Sequence, residues 1–108
     1  MIRHIVLWKF KDEAGGKTKD ENLRMIRSIL DELPAKISDI RQFEVGINIT
    51  KDTAAYDLAL ISAFDDEDAL RRYQAHPEHQ KLVDALRKVR ESRVIADFPI
   101  LDKSGRLI

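Results

Sequence analysis

The chain has 108 residues, of which 19 are basic and 19 acidic, so its formal charge is balanced. A chain of this length has room for one domain, and its 44% content of hydrophobic residues is enough for a modest core. Neither half carries a run of one sign long enough to lay a positive stripe along a phosphate backbone, so nucleic acid is not an expected partner.

The sequence also limits the compartment and the kinds of site. Cysteine is absent, which removes disulfides, thiolate nucleophiles and Cys-ligated metals together. The longest apolar run is too short to cross a bilayer, and the start MIRHIVLWKFK has no cleavage site behind an apolar core. We therefore expect a cytoplasmic protein without a membrane partner.

The first segment, residues 2–10, consists mostly of branched and aromatic residues, which predicts a β-strand. Side chains alternate across a strand, so His4 shares a face with Trp8 and Phe10. Ile5 and Leu7 lie on the other face. Because both faces are partly apolar, we expect this strand in the centre of a sheet.

A helix and two further strands follow. From about Thr18 to Leu33 the apolar residues recur at spacings of three and four, which predicts an amphipathic helix that Pro34 ends. Residues 41–49 alternate cleanly between apolar and polar side chains, as an edge strand does. Residues 56–64 are apolar on both faces and predict a second central strand.

The last part of the chain contains two helices and a strand. Asp65 or Asp66 can cap a helix that runs to about Ala75. Pro77 lacks an N–H and fits the first turn of a further helix, which stops near Arg90. Apolar residues within 94–98 predict a final strand, and residues 100–108 form a tail after a domain of residues 1–99.

The resulting order, β-α-β-β-α-β, is that of the ferredoxin-like α+β fold, with a four-stranded antiparallel sheet and helices on one face. That topology places the first and third strands in the centre, which agrees with their two apolar faces. The other face of the sheet would be left uncovered, with Ile5, Leu7, Ala59, Ile61 and Ala63 along it. We expect a second copy of the chain to cover it, sheet against sheet, in a homodimer.

Three polar aromatic side chains are expected to meet beneath the helices. His79 lies on the apolar stripe of the last helix, Tyr73 on the apolar side of the helix before it, and His4 on the first strand. A tyrosine and two imidazoles beside an apolar wall are typical of a general acid–base site for a small, mostly apolar substrate. The alternative is a buried cluster in which these residues only hydrogen-bond one another. The expected wall comprises Trp8, Phe10, Leu58 and Leu60.

The remaining histidine does not indicate a metal site. His76 and His79 are three residues apart, but Pro77 breaks the helical geometry that a pair of ligands on one helix needs. We expect no metal and no cofactor, and we assign His76 to a cap or hinge. The basic side chains on the helices, Arg71, Arg72, Lys88 and Arg90, are expected on the solvated surface.

Several segments together resemble the stress-responsive dimeric α+β barrel (Dabb) family. They are IRHIVLWKFK at the start, LP in the predicted end of the first helix, YDLALISAFDDEDALRRYQAHPEHQKL in the middle, and VIADF near the end. The resemblance covers about residues 1–99. It implies a ferredoxin-like monomer whose sheet pairs with that of its twin to close a barrel.

The resemblance also implies roles for the three candidate residues. A plant member of the family, of the olivetolic acid cyclase type, is a polyketide cyclase that closes its substrate by an intramolecular aldol step. By analogy, His79 is the base that removes an acidic α-proton, Tyr73 orients it or binds the carbonyl, and His4 holds substrate oxygens. The cyclase has a pocket tyrosine at the position of Ile26 here, so the substrate bound beside Ile26 is expected to differ.

Other functions are compatible with the family. Many members are known only as stress-associated proteins, which allows a non-catalytic oligomeric role. The wider superfamily includes haem-degrading and antibiotic-synthesis monooxygenases, which allows haem or quinol chemistry. Some members also hold a cation on main-chain carbonyls where the first helix ends, near Leu30, Leu33 and Lys36 here, and we regard such a cation as incidental.

Overall fold

The structure is a computed structural model that describes residues 1–108. In chain order its elements are β1 (Ile2–Phe10), β2 (Glu13–Ala14), β3 (Lys17–Thr18), α1 (Lys19–Lys36), β4 (Gln42–Ile47), β5 (Leu58–Phe64), α2 (Glu67–Ala75), α3 (Pro77–Val89) and β6 (Arg90–Pro99). Four of the strands form an antiparallel sheet in the order β4-β5-β1-β6. The predicted ferredoxin-like α+β fold is therefore confirmed, with β1 and β5 as its central strands.

The two faces of β1 have different surroundings. Val6, Trp8 and Phe10 are each at most 4% exposed and belong to a core of 17 buried residues that also includes residues from all three helices. Ile5 and Leu7 lie on the opposite face and are only half-buried. The core thus lies between the sheet and the helices, as the alternation along the first strand predicts.

Helix α1 begins with a capping box and continues past its predicted end. The side chain of Thr18 accepts the Glu21 N–H at 3.2 Å, and the Glu21 carboxylate accepts the Thr18 N–H at 3.2 Å. The prediction that Pro34 ends the helix is wrong, because the helix runs to Lys36. Pro34 falls in the last turn, where it removes one backbone bond, while the Leu33 carbonyl accepts the Ile37 N–H at 2.9 Å.

Burial explains why the helix tolerates this proline. The extra turn itself is exposed, but it connects Leu33 and Ile37, which are 1% and 2% exposed, so both aliphatic side chains reach the core. None of the three helices has the length and the apolar character needed to cross a membrane.

The bounds of three strands differ from the sequence prediction, and one of them is β5, which begins at Leu58 instead of residue 56. The edge strand β4 is shorter than residues 41–49, and β6 extends from Arg90 to Pro99. Strand β6 pairs with β1 over its whole length, so backbone hydrogen bonding sets its extent where the apolar pattern is weak. The expected loop after β1 contains the β2–β3 hairpin, whose turn uses Gly15 and Gly16 at φ of 61° and 76°.

His76 joins α2 to α3 by capping both helices. Its N–H donates to the Tyr73 carbonyl at 3.2 Å and ends α2, and its Nδ1 accepts the Glu78 N–H at 3.1 Å and begins α3. Pro77 occupies the first turn of α3, where its missing N–H has no helical partner to lose. The predicted cap or hinge at His76 is confirmed, and it sets the angle between the helices that carry Tyr73 and His79.

The face of the sheet away from the helices is largely uncovered. Ile61 is 37% exposed in its centre, and Val94 and Phe98 on β6 are 45% and 44% exposed. Ala63 lies on this face, as its alternation with Ile61 predicts, but the expectation that it is uncovered is wrong because its exposure is 0%. Its two register partners, Arg3 and Gln42, are joined across it by a hydrogen bond of 2.7 Å and close over the small side chain.

The C-terminal tail makes a compact turn beside the N-terminus. The Ile100 N–H donates to the Met1 carbonyl at 2.9 Å, and Leu101 pairs with Leu107 in an isolated bridge. The Asp102 carboxylate accepts two backbone N–H groups of the turn, at 2.9 and 3.0 Å. Leu107 itself is 73% exposed, so the tail contributes little to the core.

The packing makes a direct prediction for stability. Leu30 is fully buried in the core between α1 and the sheet, so Leu30→Ala should lower the free energy of unfolding by about 2–5 kcal/mol in urea titrations at fixed protein concentration. Leu107→Ala removes the same atoms from an exposed site and should change it by no more than about 0.5 kcal/mol. Equal losses for the two variants would contradict this placement of the core.

Candidate functional site

The structure brings the three predicted residues together beneath the helices. The ring centroids of Tyr73 and His79 are 4.5 Å apart, and those of Tyr73 and His4 are 6.2 Å apart. Tyr73 and His4 are buried, and His79 is half-buried. Phe64 also packs against Tyr73 with a centroid distance of 4.8 Å, so the tyrosine ring contacts both a histidine and a phenylalanine.

A cavity opens beside these rings. Its interior volume is about 90 Å³, several times the space that one water molecule needs, and the whole concavity with its mouth encloses about 600 Å³. Eight of the 14 residues around it are hydrophobic, so it is an apolar cavity with a polar minority. The lining comprises His4, Val6, Trp8, Leu60, Tyr73, Gln74, His79, Leu82, Val83, Leu86, Arg87, Arg90, Arg93 and Ile95.

Only some of the residues that were expected to line the cavity do so. Trp8 and Leu60 line the cavity, whereas Phe10, Ile26 and Leu58 do not. These three side chains are packed into the core, with exposures of 3%, 0% and 1%. The residues that take their place in the wall come from α3, whose apolar stripe faces the sheet beside β1.

Arginine side chains at the mouth were not expected. Arg90 was predicted on the solvated surface, but it is half-buried and lines the cavity together with Arg87 and Arg93. Arg93 is the register partner of Trp8, so it lies on the helix-covered face of the sheet. The alternation of side chains along β6 predicts this placement of Arg93 only if the pairing of β6 with β1 is known.

His79 is oriented by the end of the preceding helix. Its Nδ1 lies 3.0 Å from the Gln74 carbonyl, which can only accept, so Nδ1 carries the proton and donates it. The other ring nitrogen, Nε2, is then free to accept a proton. Burial lowers the pKa of His79 below its usual value, the bond to Gln74 opposes this shift only in part, and the neighbouring His4 and Arg93 lower the pKa further. The imidazole is therefore neutral at pH 7 and can act as a base.

Tyr73 has a hydroxyl group without a protein partner. The oxygen is buried and forms no hydrogen bond within the chain, and it is the only buried side-chain polar atom in that state. Burial also raises the pKa of Tyr73 well above its usual value, so the hydroxyl keeps its proton. A buried donor left unpaired costs about 1–3 kcal/mol, which makes it a candidate for binding a ligand oxygen.

His4 is held by Asp97, a residue that the sequence prediction missed. The two are register partners on β1 and β6, and Nδ1 of His4 donates to the Asp97 carboxylate. On the other side, Ser62 donates its hydroxyl to the His4 carbonyl at 2.9 Å. The carboxylate fixes the imidazole tautomer and leaves Nε2 unprotonated when the ring is neutral.

Side chains that could ligate a metal ion do not cluster around the cavity. No group of three or more His, Asp or Glu side chains lies close enough to hold a metal ion. His76 uses its Nδ1 to cap α3, and the carboxylate of Asp97 is bonded to His4. The chemistry that this arrangement offers is proton transfer between two imidazoles, a phenol and a ligand.

These features define a ferredoxin-like α+β domain with an apolar cavity that presents a tyrosine and two histidines. The chain belongs to the stress responsive A/B barrel domain family, whose model matches residues 2–100. The family resemblance seen in the sequence is therefore confirmed.

Individual relatives agree with this assignment. An uncharacterized protein from Streptomyces coelicolor is 43% identical over 100 residues, which are 91% of this chain and 98% of that one. A dimeric protein of unknown function with a ferredoxin-like fold from Bacteroides fragilis is 36% identical, with a TM-score of 0.80 over 90% of this chain and 93% of its own.

An enzyme also shares the fold. The hydroxynitrile lyase from Passiflora edulis has a TM-score of 0.79 with 16% identity, over 94% of each chain. A likeness at that identity shows the fold alone.

The lowered pKa of His79 predicts how stability depends on pH. As the pH falls below about 6.5, His79 takes up a proton in the unfolded chain before it does so in the folded one, so folding is weakened until the pH reaches the lowered folded pKa. His79→Gln should remove this part of the acid destabilisation. Urea titrations at pH 7 and pH 5 should therefore show a smaller stability loss for His79→Gln than for the wild type.

A neighbouring substitution provides the control for this measurement. Lys81 is exposed on the same helix, and Lys81→Gln should keep the wild-type dependence between pH 7 and pH 5. If His79→Gln loses as much stability as the wild type over this range, the buried neutral imidazole is contradicted.

Proposed function

We propose that the cavity binds a small carbonyl compound and removes a proton from the carbon beside the carbonyl, with His79 as the base. Such a step is common to cofactor-independent lyases, cyclases and isomerases. The observation that carries the proposal is the unpaired hydroxyl of Tyr73, buried in the wall of an open cavity next to a neutral imidazole.

Tyr73 would bind the carbonyl oxygen. A hydroxyl that keeps its proton can donate to that oxygen, and the bond strengthens as the oxygen becomes negative in the enolate. The Tyr73 oxygen is buried, so the interaction is stronger than it would be in solution. The bond would also satisfy the one buried hydroxyl that has no partner in the free protein.

His79 would transfer the proton. The bond from Nδ1 to the Gln74 carbonyl leaves Nε2 as the basic nitrogen, and the lowered pKa keeps that nitrogen unprotonated at neutral pH. After it accepts the α-proton, the imidazolium can return it to the product or to a leaving group. Both steps use one residue whose orientation is set by the end of α2.

His4 would hold a second oxygen of the substrate. Its bond to Asp97 fixes the ring, and a neutral ring then presents Nε2 as an acceptor for a hydroxyl group of the ligand. Asp97 acts here through His4 and is a positioning residue. Trp8 and Leu60 supply apolar wall beside this group.

The bonding pattern favours this proposal over a purely structural cluster. In such a cluster the three residues would bond one another, but His4 bonds Asp97, His79 bonds Gln74, and the Tyr73 hydroxyl bonds nothing. The polar groups are held in place from outside the cavity and left free towards it. That arrangement is what a binding site requires.

The size of the cavity limits the substrate. Ile26 is fully buried in the core and does not reach the cavity, whose interior volume is about 90 Å³. A compact carbonyl compound fits this space better than an extended polyketide chain.

Proton exchange tests the proposed chemistry directly. The wild-type protein should accelerate deuterium uptake at the carbon between the carbonyls of ethyl 3-oxobutanoate, followed by NMR against the protein-free rate. His79→Gln should reduce the acceleration by about 10²–10⁴-fold because it removes the base. Lys81→Gln, an exposed change on the same helix, should have no effect.

The Tyr73→Phe variant tests whether the Tyr73 hydroxyl binds a ligand or only stabilises the fold. The variant should lose about a hundredfold of the acceleration, because the donor to the developing enolate is gone. Its stability should stay equal to that of the wild type or rise, because no hydrogen bond of the free protein is lost. A variant that is less stable by 1 kcal/mol or more, with unchanged exchange, would favour the non-catalytic role.

We also propose that the chain forms a homodimer through the uncovered face of its sheet. Ile61, Val94 and Phe98 leave apolar surface exposed there, and the relative from Bacteroides fragilis is described as dimeric. A twin sheet packed on this face would bury the patch and close a barrel. The opposite face, with the cavity, would stay outside the contact.

A charge on this face should break the dimer. Ile61→Lys places an ammonium in the middle of the proposed contact, and light scattering should give the mass of the 12.5 kDa monomer where the wild type gives twice that value. Ala75→Lys places the same charge at an exposed site on α2, on the other side of the sheet, and should leave the dimer intact. A wild-type monomer at micromolar concentration would contradict the proposal.

A further inference from the structure

We propose that the ligand of the cavity carries a carboxylate, which Arg87, Arg90 and Arg93 hold at the mouth. This inference rests on the proposed function in one respect, because it takes the same cavity as the binding site. It adds the substrate class, a small oxo acid with an apolar segment between its carbonyl and its carboxylate.

Strand β6 supplies one wall of the cavity, and its side chains change from acidic through aliphatic to basic along the strand. Asp97, Ile95 and Arg93 pair with His4, Val6 and Trp8, so all three lie on the helix-covered face. Alternate residues of a strand are about 7 Å apart, so Arg93 lies roughly 14 Å along the strand from Asp97. The wall therefore runs from a carboxylate that holds His4, past an aliphatic side chain, to a guanidinium group.

Helix α3 supplies the facing wall of the cavity. Its side chains also change from polar through aliphatic to basic along the helix. His79, Val83 and Arg87 are four residues apart and share one face of the helix, and Arg87 lies about 12 Å along the axis from His79. Arg90 follows where α3 passes into β6 without a loop. Arg87, Arg90 and Arg93 thus all line the cavity near this junction, and Arg93 is at the opposite end of the β6 wall from Asp97.

Two of these arginines have no partner of their own. Arg90 and Arg93 make no side-chain hydrogen bond and no ion pair, and Arg87 has only Asp84, at 3.7 Å. Elsewhere in the chain, Arg72 makes close contacts with Asp39, and Arg41 binds both carboxylate oxygens of Asp65. In a chain with balanced charge, a local excess of unpaired guanidinium groups is a site for an anion.

Helix electrostatics does not account for the cluster. A basic residue in the last turn of a helix interacts favourably with the negative end of the helix dipole, which explains Arg87 and the neighbouring Lys88. Arg93 is on a strand, three residues after the start of β6, and gains nothing from that dipole. Its position opposite Trp8, on the cavity side, is better explained by a ligand.

The shape of the groups favours a carboxylate. A guanidinium group donates two parallel N–H bonds, which match the two oxygens of a carboxylate. Between the arginines and the Tyr73 ring, the lining is aliphatic, with Leu82, Leu86 and Ile95. A ligand with its carbonyl at Tyr73 and its carboxylate at Arg93 would place methylene groups along these side chains.

Binding of a matched pair of probes tests the inference. Trp8 is the only tryptophan of the chain and lines the cavity, so its fluorescence reports occupancy. The probes are 5-oxohexanoate and its methyl ester, which differ in the negative charge and one methyl group. We expect the acid to bind at least about tenfold more tightly than the ester, and increasing salt to narrow the difference.

Substitution of the arginines provides the second arm. Arg93→Gln should weaken binding of the acid by about tenfold and leave binding of the ester unchanged, and Arg90→Gln should act in the same direction. Arg24→Gln is the matched control, because Arg24 is exposed on α1 and paired with Asp20 at 2.8 Å. Circular dichroism of each variant confirms that the fold is retained.

Each of the other outcomes contradicts one specific part of the proposal. Equal binding of acid and ester, or acid binding that ignores both arginine substitutions, overturns the carboxylate site and leaves the carbonyl chemistry standing. Tighter, Arg93-dependent binding of propyl phosphate than of the acid overturns the choice of carboxylate and assigns the site to a phosphate ester. If neither hexanoate probe binds, the inference is overturned, and proton exchange with the neutral ethyl 3-oxobutanoate decides separately whether the proposed function stands.

Discussion

The register of β1 between its two neighbours is the constraint on which the rest of the structure depends. The strand pairs with β5 on one side and β6 on the other over almost its whole length, so His4 lies between Ser62 and Asp97. A slip of one residue would turn His4, Val6 and Trp8 to the uncovered face and bring Ile5 and Leu7 under the helices. The core, the cavity and the partner of His4 all follow from this one alignment.

The helices add the other half of the site through a second local constraint. His76 ends α2 and begins α3, and the break between them lets Tyr73 and His79 face each other although they are on different helices. The Gln74 carbonyl, near the end of α2, then accepts the Nδ1 proton of His79 at 3.0 Å and the side-chain N–H of Gln80 at 2.7 Å. Helix termini thus orient the base without any dedicated partner side chain.

Sequence patterns predict the parts of this protein that depend on burial. The alternation along β1 and the spacing on α2 and α3 place His4, Tyr73 and His79 on the buried side, and the structure brings the three rings together. Asp97 and Arg93 could not be found in this way. They lie on an exposed edge strand with no apolar alternation, so their side is known only from the pairing with β1.

Two other differences between the sequence prediction and the structure also arise from tertiary contacts. Pro34 should end a helix, but burial of Leu33 and Ile37 carries α1 past it. Ala63 should be uncovered, but the bond between Arg3 and Gln42 closes over it. In both cases a contact between residues distant in sequence, or the core itself, overrides a local rule.

The central claim is that His79 offers a bare, basic Nε2 to the cavity while its Nδ1 proton is bound to Gln74. Nitrogen-15 correlation spectra of the imidazole side chains at pH 7 test it most directly, because protonated and bare ring nitrogens have well-separated shifts. The account predicts a protonated Nδ1 and a bare Nε2 for His79. A protonated Nε2, or a doubly protonated ring at that pH, would contradict it.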